Sequence, residues 1–376
     1  NRVRESGIGF LKGLSSSPTR RVLRKSVAGP RLAIVGATGA VGHELLRVLA
    51  QRDFPAGAVR VCASERSWGK SLPFDGSELT VEEATPRVLA ESDIVFIAAG
   101  SGTSRALAPQ AVENGAVVID KSSAFRMDPD VPLVIPEING DDLTWHRGIV
   151  SSPNCSTTPL AMVLKPLMAI SAVERVIVDT YQSVSGAGAE AVRELRLQSA
   201  ELLDGGAAEA RKLPHQIAFN VLPQVETFLE DGYTTEETKL VNETRKILHE
   251  PDLALSATCV RVPVTVGHSE AVHIEFRHAV TVEQAREALS QAPGVRVLDD
   301  PAAGVYPMPI HAEGEDDVLV GRVRRDVSHP RGQALWLSSD NLRKGAALNS
   351  VQIAEELVRR GLLTFERHPE ESKARA

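Results

Sequence analysis

The stretch Arg31-Leu32-Ala33-Ile34-Val35-Gly36-Ala37-Thr38-Gly39-Ala40-Val41-Gly42 decides the fold of this chain. An apolar run, Leu32 to Val35, meets a turn punctuated by glycines, and Leu45, Leu46, Val48 and Leu49 then recur at helical spacing. The pattern reads as strand, glycine-rich turn, amphipathic helix. Glycine lacks the Cβ that would hold a backbone away from a pyrophosphate, and the helix start beyond it offers unpaired amides and the positive end of the helix dipole. The spacing, G-x-x-G-x-x-G, is looser than G-x-G-x-x-G and by itself would also serve helix-to-strand packing.

The surroundings carry the reading further. A second strand, Val59 to Ala63, ends in Ser64-Glu65-Arg66-Ser67-Trp68-Gly69-Lys70, where dinucleotide sites recognise the adenosine ribose. Arg66 with Ser64 and Ser67 suits the 2′-phosphate of NADP, whereas Glu65 would repel it if it pointed inward. Ile94 to Ala99 is followed by a helix from about Thr103 to Asn114 and then by the strand Ala116 to Asp120. Strands alternating with helices predict a doubly wound parallel sheet, with ligands at the carboxyl ends of the strands, near Gly100-Ser101-Gly102. Arg126, just beyond the fourth strand, is either an anion clamp or a surface arginine.

A chain of 376 residues exceeds one ordinary core, so two domains are expected. Net charge is -7, with no acidic or basic block in the body, which gives nucleic-acid binding no support. No apolar run approaches the roughly 18 residues that a membrane span needs. Three scattered cysteines without a C-x-x-C pair argue against a disulfide framework or a metal site, and for a reducing compartment. Residues 1–30 differ: Arg2, Arg4, Lys12, Arg20, Arg21, Arg24 and Lys25 face one acid, Glu5. Such a leader resembles an organelle transit segment and equally a disordered extension, so the expected compartment is the cytoplasm, with a plastid or other organelle as the alternative. Residues 366–376 are expected to fray.

The second decisive stretch is Ser151-Ser152-Pro153-Asn154-Cys155-Ser156-Thr157-Thr158-Pro159, between apolar Ile149-Val150 and the series from Leu160 to Leu164. It predicts strand, turn and helix, with Asn154 as the cap and Cys155 at the helix N-terminus, where amides and dipole favour a thiolate. Cys62 and Cys259, inside apolar β-like runs, read as buried hydrophobes. Beyond lie a strand from Val173 to Tyr181, a turn over residues 182–188 and a helix from Ala189 to Leu203. Strands Ala257 to Val266 and Ala271 to Phe276 follow, with others near Val318 to Val323 and Ala334 to Leu337. These predict one larger mixed sheet with helices on one face, after which Leu348, Val351, Ile353 and Leu357 form a helix that packs back on the first domain. Arg261 and His268, seven apart on one strand-and-turn segment, point to opposite faces unless Pro263 or Gly267 redirects one. Glu236 and Lys239, three apart on a helix, read from their spacing as a surface ion pair.

Taken together, GATGAVG (36–42), SERSWGK (64–70), SSAFRM (122–127), SPNCST (152–157), YQSVSGAG (181–188), EETKLVNETRKIL (236–248), RVPVTVGHSE (261–270) and DNLRKGAALNSVQIAE (340–355) closely resemble the aspartate-semialdehyde dehydrogenase family, from about Arg31 to Leu363. The resemblance implies a Rossmann-type dinucleotide domain (31–154 plus 341–365) and an α+β catalytic and dimerisation domain (155–340) of the glyceraldehyde-3-phosphate-dehydrogenase-like type. It implies NADP-dependent reduction of L-aspartyl-4-phosphate to L-aspartate 4-semialdehyde through a Cys155 thioester, on the route to lysine, diaminopimelate, threonine, methionine and isoleucine. By the same resemblance Gln182 orients the acyl group and His268 is the acid/base. Arg261 grips the substrate carboxylate, Glu236 its ammonium, and Arg126, Lys239 and Asn154 the phosphate. NADP runs along Gly36, Thr38, Gly39, Ala40, Val41 and Gly42 to Ser64, Arg66 and Ser67, with Gly186 and Asn341 at its nicotinamide end. A homodimer or homotetramer, with inorganic phosphate as co-substrate, is implied as well. The competing readings are an N-acetyl-γ-glutamyl-phosphate reductase and a non-catalytic NADP-binding paralogue.

Overall fold

In a computed structural model, residues 29–364 are described. The basic leader, but for Gly29 and Pro30, and the tail beyond residue 364 lie outside the described residues.

Strands β1 (Arg31–Val35), β2 (Ala58–Cys62), β3 (Ser71–Phe74), β4 (Ser77–Glu82), β5 (Ile94–Ile97), β6 (Val117–Asp120) and β7 (Ile149–Ser151) form one sheet in the order β3-β4-β2-β1-β5-β6-β7. All neighbours run parallel except β3 and β4. Every side chain of β5 and β6 is buried, because helices cover both faces and leave no side for water. The order reverses at β1, with β2 on one side and β5 on the other, so the glycine turn leaving β1 opens at the switch point of the sheet. The β3–β4 hairpin was not anticipated, although its signal was present: Asp75 and Gly76 both take positive φ, as an Asp-Gly hairpin turn requires.

The second sheet holds β8 (Val173–Gln182), β9 (Ala254–Arg261), β10 (His268–Phe276), β11 (Val295–Val297), β12 (Val318–Arg325) and β13 (Gly332–Ser339), ordered β11-β12-β13-β10-β8-β9. It is mixed: β8–β9 and β11–β12 are parallel and the rest antiparallel. It is not the larger sheet by strand count, only in strand length. On β10, Val272, Ile274 and Phe276 point into a core shared with the helices Thr157–Met168, Thr235–Leu248 and Val282–Gln291. The other face of this sheet carries half-exposed Tyr181 and Trp336, their rings 5.1 Å apart. The helix Leu348–Arg359 returns to the first sheet, burying Leu348, Val351, Ile353 and Leu357 in the same cluster as Leu32 and Ile34.

One expectation fails. The run Ala257 to Val266 is not a single strand: β9 ends at Arg261, and residues 262–267 cross over β8 to start β10 at His268. Pro263 and the positive φ of Gly267 break the extended chain there.

Candidate active site

The crossover brings distant residues level. Parallel register sets Gln182 beside Arg261, and antiparallel register pairs Tyr181 with Ser269, which places His268 beside Gln182. Arg261 and His268 therefore sit on two strands flanking β8, not on opposite faces of one. At the same end begins the helix Thr235–Leu248, fixed by a capping box between Thr234 and Glu237, so its first turn delivers Glu236 into the cleft.

Cys155 arrives from the other side, between β7 and the helix Thr157–Met168. Asn154 is not the helix cap. Its Oδ1 accepts the Ser156 amide at 2.8 Å, closing a tight turn, and Ser156 occupies the cap position. Gly345 packs against the cysteine so closely that an added Cβ would lie 3.0 Å from the Cys155 Cβ. The expected pull of the helix end does not prevail: burial, with Glu236 adding to it, pushes the Cys155 thiol up to about 11, against the charges of Lys121, Arg261 and Arg126. The thiolate must draw its stability from those cations. Cys62 and Cys259 are fully buried, as expected, and burial pushes the Cys62 thiol up to about 12.

Glu236 is not half of a surface pair. It is 4% exposed and accepts from Asn154 Nδ2 at 3.0 Å and Gln182 Nε2 at 3.1 Å, with the Lys239 ammonium 3.5 Å away. Lys239 bonds chiefly to Glu226. Gln182 Nε2 also donates to Ser156 Oγ, which ties the acyl-orienting candidate to the cysteine turn. Arg126 is buried too: Nη1 meets Glu243 at 2.9 Å, while Nε and Nη2 donate to the Ser152 and Lys121 carbonyls. Burial works against its charge, but Glu243 more than offsets this and holds the guanidinium ionised. Glu243 also accepts the Asn154 amide at 2.7 Å.

Sequence reasoning passed over Glu243, although it lies seven residues after Glu236 and four after Lys239, on one helical face. It passed over Lys121 as well. The Lys121 ammonium donates to the Pro153 carbonyl, and burial together with the Arg126 charge pushes its pKa down to about 7.

His268 is fully buried, and Nδ1 accepts the Ser183 amide at 3.1 Å. The ring proton therefore sits on Nε2, which has no partner among the described residues. Burial, then the Arg261 charge, pushes the imidazole down to about 3. The ring is thereby held neutral in this cleft. In that state it offers Nε2–H as a donor to an oxygen bound in the cleft. Arg261 Nη1 donates to the Ser183 carbonyl at 2.8 Å, and burial lowers its pKa. Between the two lies Gly186, where an added Cβ would stand 3.0 Å from Arg261 Nη1 and 3.2 Å from His268 Nε2. Gly186→Ala is expected to lower kcat/KM about 100-fold by displacing both groups, with the thermal midpoint nearly unchanged. Steady-state kinetics beside thermal melts check it.

At the glycine turn the three glycines divide their work. Gly36 has φ +86°, and an added Cβ would come within 2.4 Å of the Ala98 carbonyl; at Gly42 it would come within 2.4 Å of the Gly36 carbonyl. Those two glycines permit close packing. Gly39 caps the helix Ala40–Gln51 with no side chain over its amides and no acid in the first turn, while Thr38, Ala40 and Val41 stay partly open. An open helix start of this kind is suited to a phosphate. Ser64, Glu65 and Arg66 are exposed at the end of β2, but Ser67 turns inward and accepts from Lys70 Nζ at 3.4 Å. Asn341 Oδ1 accepts from the Gly267 amide at 2.9 Å and from Ser183 and Ser185 hydroxyls, locking the starts of both loops around His268. Among the described residues no cluster of three metal-ligand side chains exists, and no helix is long and apolar enough to cross a membrane.

A switch-point dinucleotide sheet joined to a mixed sheet whose edge gathers Gln182, Arg261 and His268 around a cysteine turn defines the class: a two-domain semialdehyde dehydrogenase. The model of the semialdehyde dehydrogenase NAD-binding domain matches residues 31–146, and that of the dimerisation domain matches residues 164–344. The chain is 50% identical over 339 residues to the aspartate-semialdehyde dehydrogenase of Aquifex aeolicus, covering 89% of this chain and 100% of that protein. The crystal structure of aspartate semialdehyde dehydrogenase II from Vibrio cholerae complexed with ASA superposes with a TM-score of 0.85 at 46% identity, over 88% of this chain and 98% of that one. The Candida albicans enzyme with NADP does so with a TM-score of 0.70 at 25% identity, over 89% and 99%. The chain belongs to the aspartate-semialdehyde dehydrogenase family.

Proposed function

We propose that this chain catalyses the NADP-dependent reductive dephosphorylation of L-aspartyl-4-phosphate to L-aspartate 4-semialdehyde, and its reverse, through a thioester on Cys155, as a step toward lysine, threonine, methionine and isoleucine. What carries the reading is the meeting of Cys155, Gln182, Glu236, Arg261 and His268, drawn from five segments, in one cleft. Gly36 to Gly42, with Ser64 and Arg66 outward and Gly186 and Asn341 at the far end, would hold the cofactor. When bound, NADPH supplies the hydride that reduces the acyl group.

The chain's own part is positioning and charge. Cys155 attacks the acyl carbon and expels phosphate, which splits one hard displacement into two easier ones. His268, as the acid/base, donates Nε2–H to the developing oxyanion, and Gln182, anchored on Ser156 and Glu236, orients the acyl group. Arg261 takes the α-carboxylate by a charge-assisted fork, and the buried Glu236 carboxylate takes the α-ammonium. Arg126, Lys239 and Asn154 line the phosphate side. A free ammonium for Glu236 favours the aspartyl substrate over an N-acetylated glutamyl phosphate, whose amide carries no charge. The test is phosphate-dependent NADP reduction with aspartate semialdehyde, run beside N-acetylglutamate semialdehyde. Turnover of the acetylated compound alone would sink the assignment.

The exposed Arg66 supports NADP over NAD. Arg66→Ala is expected to raise KM for NADP about 10- to 100-fold, the loss of a charge-assisted contact worth about 1.5–3 kcal/mol, while NAD kinetics barely move. Equal losses for both cofactors would reject the contact. We also place the domain divisions at 154/155 and 340/341, where the chain passes between the two sheets. A homodimer through the face bearing Tyr181 and Trp336 fits the dimerisation domain, with a dimer of dimers as the larger alternative, and light scattering separates them. The cytoplasm is the proposed compartment; N-terminal sequencing of protein from its native source tests it.

A further inference from the structure

We propose that Lys121 is the counter-ion of the Cys155 thiolate, an additional residue of the active site that tunes the nucleophile without touching the substrate's fixed groups. This rests on Cys155 being the nucleophile. Three observations support it, and the first is placement. Lys121 is the first residue beyond β6, its amide fixed on the Ile97 carbonyl at 3.0 Å, so it leaves the sheet at the carboxyl end where the cleft opens. Its ammonium reaches across to the carbonyl of Pro153, two residues before the cysteine. Its own carbonyl accepts from Arg126 Nη2 at 2.7 Å, and Arg126 Nε holds the Ser152 carbonyl at 3.0 Å. Lys121, Arg126 and the 152–155 turn are thus one hydrogen-bonded unit.

The second observation is the state of the other cations. Arg126 is matched by the Glu243 carboxylate at 2.9 Å, Lys239 by Glu226, and the deeply buried Lys344 by Glu137 at 2.7 Å. Arg261 is the one a bound substrate's carboxylate would engage. The carboxylate nearest Lys121 in sequence, Asp120, is already taken by the hydroxyls of Ser104 and Ser122. The Lys121 ammonium is set against a neutral carbonyl, so its charge is left for the cleft.

The third is the balance of fields. The groups acting on Lys121 are Arg126, Cys155, Glu243 and Glu236; those acting on Cys155 are Glu236, Lys121, Arg261 and Arg126. Of the cations, Lys121 opposes the rise in the cysteine most strongly. Burial alone would leave an ordinary thiol and an uncharged amine. Paired, thiolate and ammonium stabilise each other, and the proton that leaves sulfur passes to solvent. His268 does not compete for that proton, because Nδ1 is filled by the Ser183 amide and Nε2 already carries hydrogen.

The test uses the full chain and iodoacetamide, an uncharged reagent, with alkylation of the Cys155 peptide followed by mass spectrometry from pH 6 to 10. K121M is expected to displace the rising limb of the rate profile upward by about one pH unit, slowing alkylation at pH 7.5 about tenfold. K121R, whose guanidinium does not titrate, is expected to restore most of the rate. A K121M profile coinciding with the wild type overturns the proposal. So does an unchanged profile accompanied by a raised KM for phosphate, which would move Lys121 to the phosphate side. If K121M does not fold, K121R alone decides: a folded K121R that alkylates more than tenfold slower than the wild type at pH 7.5 overturns it as well. Turnover in C155A, assayed separately, would remove the nucleophile and leave the alkylation result standing.

Discussion

Cys155→Ala is expected to lower turnover by on the order of 10⁴-fold or more, with NADP affinity and folding close to unchanged. The size follows from the loss of the covalent route: without sulfur no thioester forms, and the remaining donors in the cleft can only bind and polarise. The survival of folding follows from the packing, since alanine keeps the Cβ that Gly345 abuts and removes one partly exposed sulfur atom. Cofactor affinity survives because the residues proposed to hold the phosphates lie on the first sheet's turns, in another part of the cleft. Isothermal titration with NADP beside stopped-flow turnover separates the two. Labelling gives a second reading. Iodoacetamide should modify Cys155 in the native enzyme and leave Cys62 and Cys259 untouched, because both of those are 0% exposed. Near-normal turnover in the alanine variant, or labelling spread evenly over the three cysteines, would end the thioester mechanism.

How much of this was legible beforehand depended on the range of the interaction. Local periodicity was enough for β1, the glycine turn and the helix Ala40–Gln51, because each side chain there answers to its own neighbours. It was also enough for the helix Ala189–Leu203. The cleft was legible only as motifs. Arg261 and His268 were read on one strand because extended sequence around Pro263 looks continuous, and only the register with β8 makes them partners of Gln182. The forces on Cys155 were only half visible for the same reason. A helix end is visible in sequence; burial and a facing Glu236 are not. Glu236 itself passed for a surface residue because its partners, Asn154 and Gln182, lie 82 and 54 residues away. Glu243 and the Asp75-Gly76 hairpin were different. Their helical spacing and turn dipeptide stood in the sequence and were passed over.

Glu243→Ala should be among the most destabilising single changes in the molecule, costing about 3–5 kcal/mol. The side chain is 1% exposed and does two things: it neutralises Arg126 at 2.9 Å and accepts the Asn154 amide at 2.7 Å. Removing it strands a buried guanidinium that cannot shed its proton at any accessible pH, since arginine stays charged where a lysine would neutralise. It also leaves the amide just before Cys155 without an acceptor, so the damage extends to the nucleophile's turn. Glu243→Gln keeps an acceptor for that amide but not the charge, and is expected to fall between wild type and Glu243→Ala. The pairing itself is isolated by a cycle. If the loss is the uncompensated charge, Glu243→Ala with Arg126→Met should be more stable than Glu243→Ala alone, because the second change removes what the first exposed. Urea denaturation midpoints read all five proteins, Arg126→Met alone among them. A double variant no more stable than Glu243→Ala would place the cost in packing instead, and Arg126 would then owe its ionised state to its carbonyl contacts rather than to Glu243.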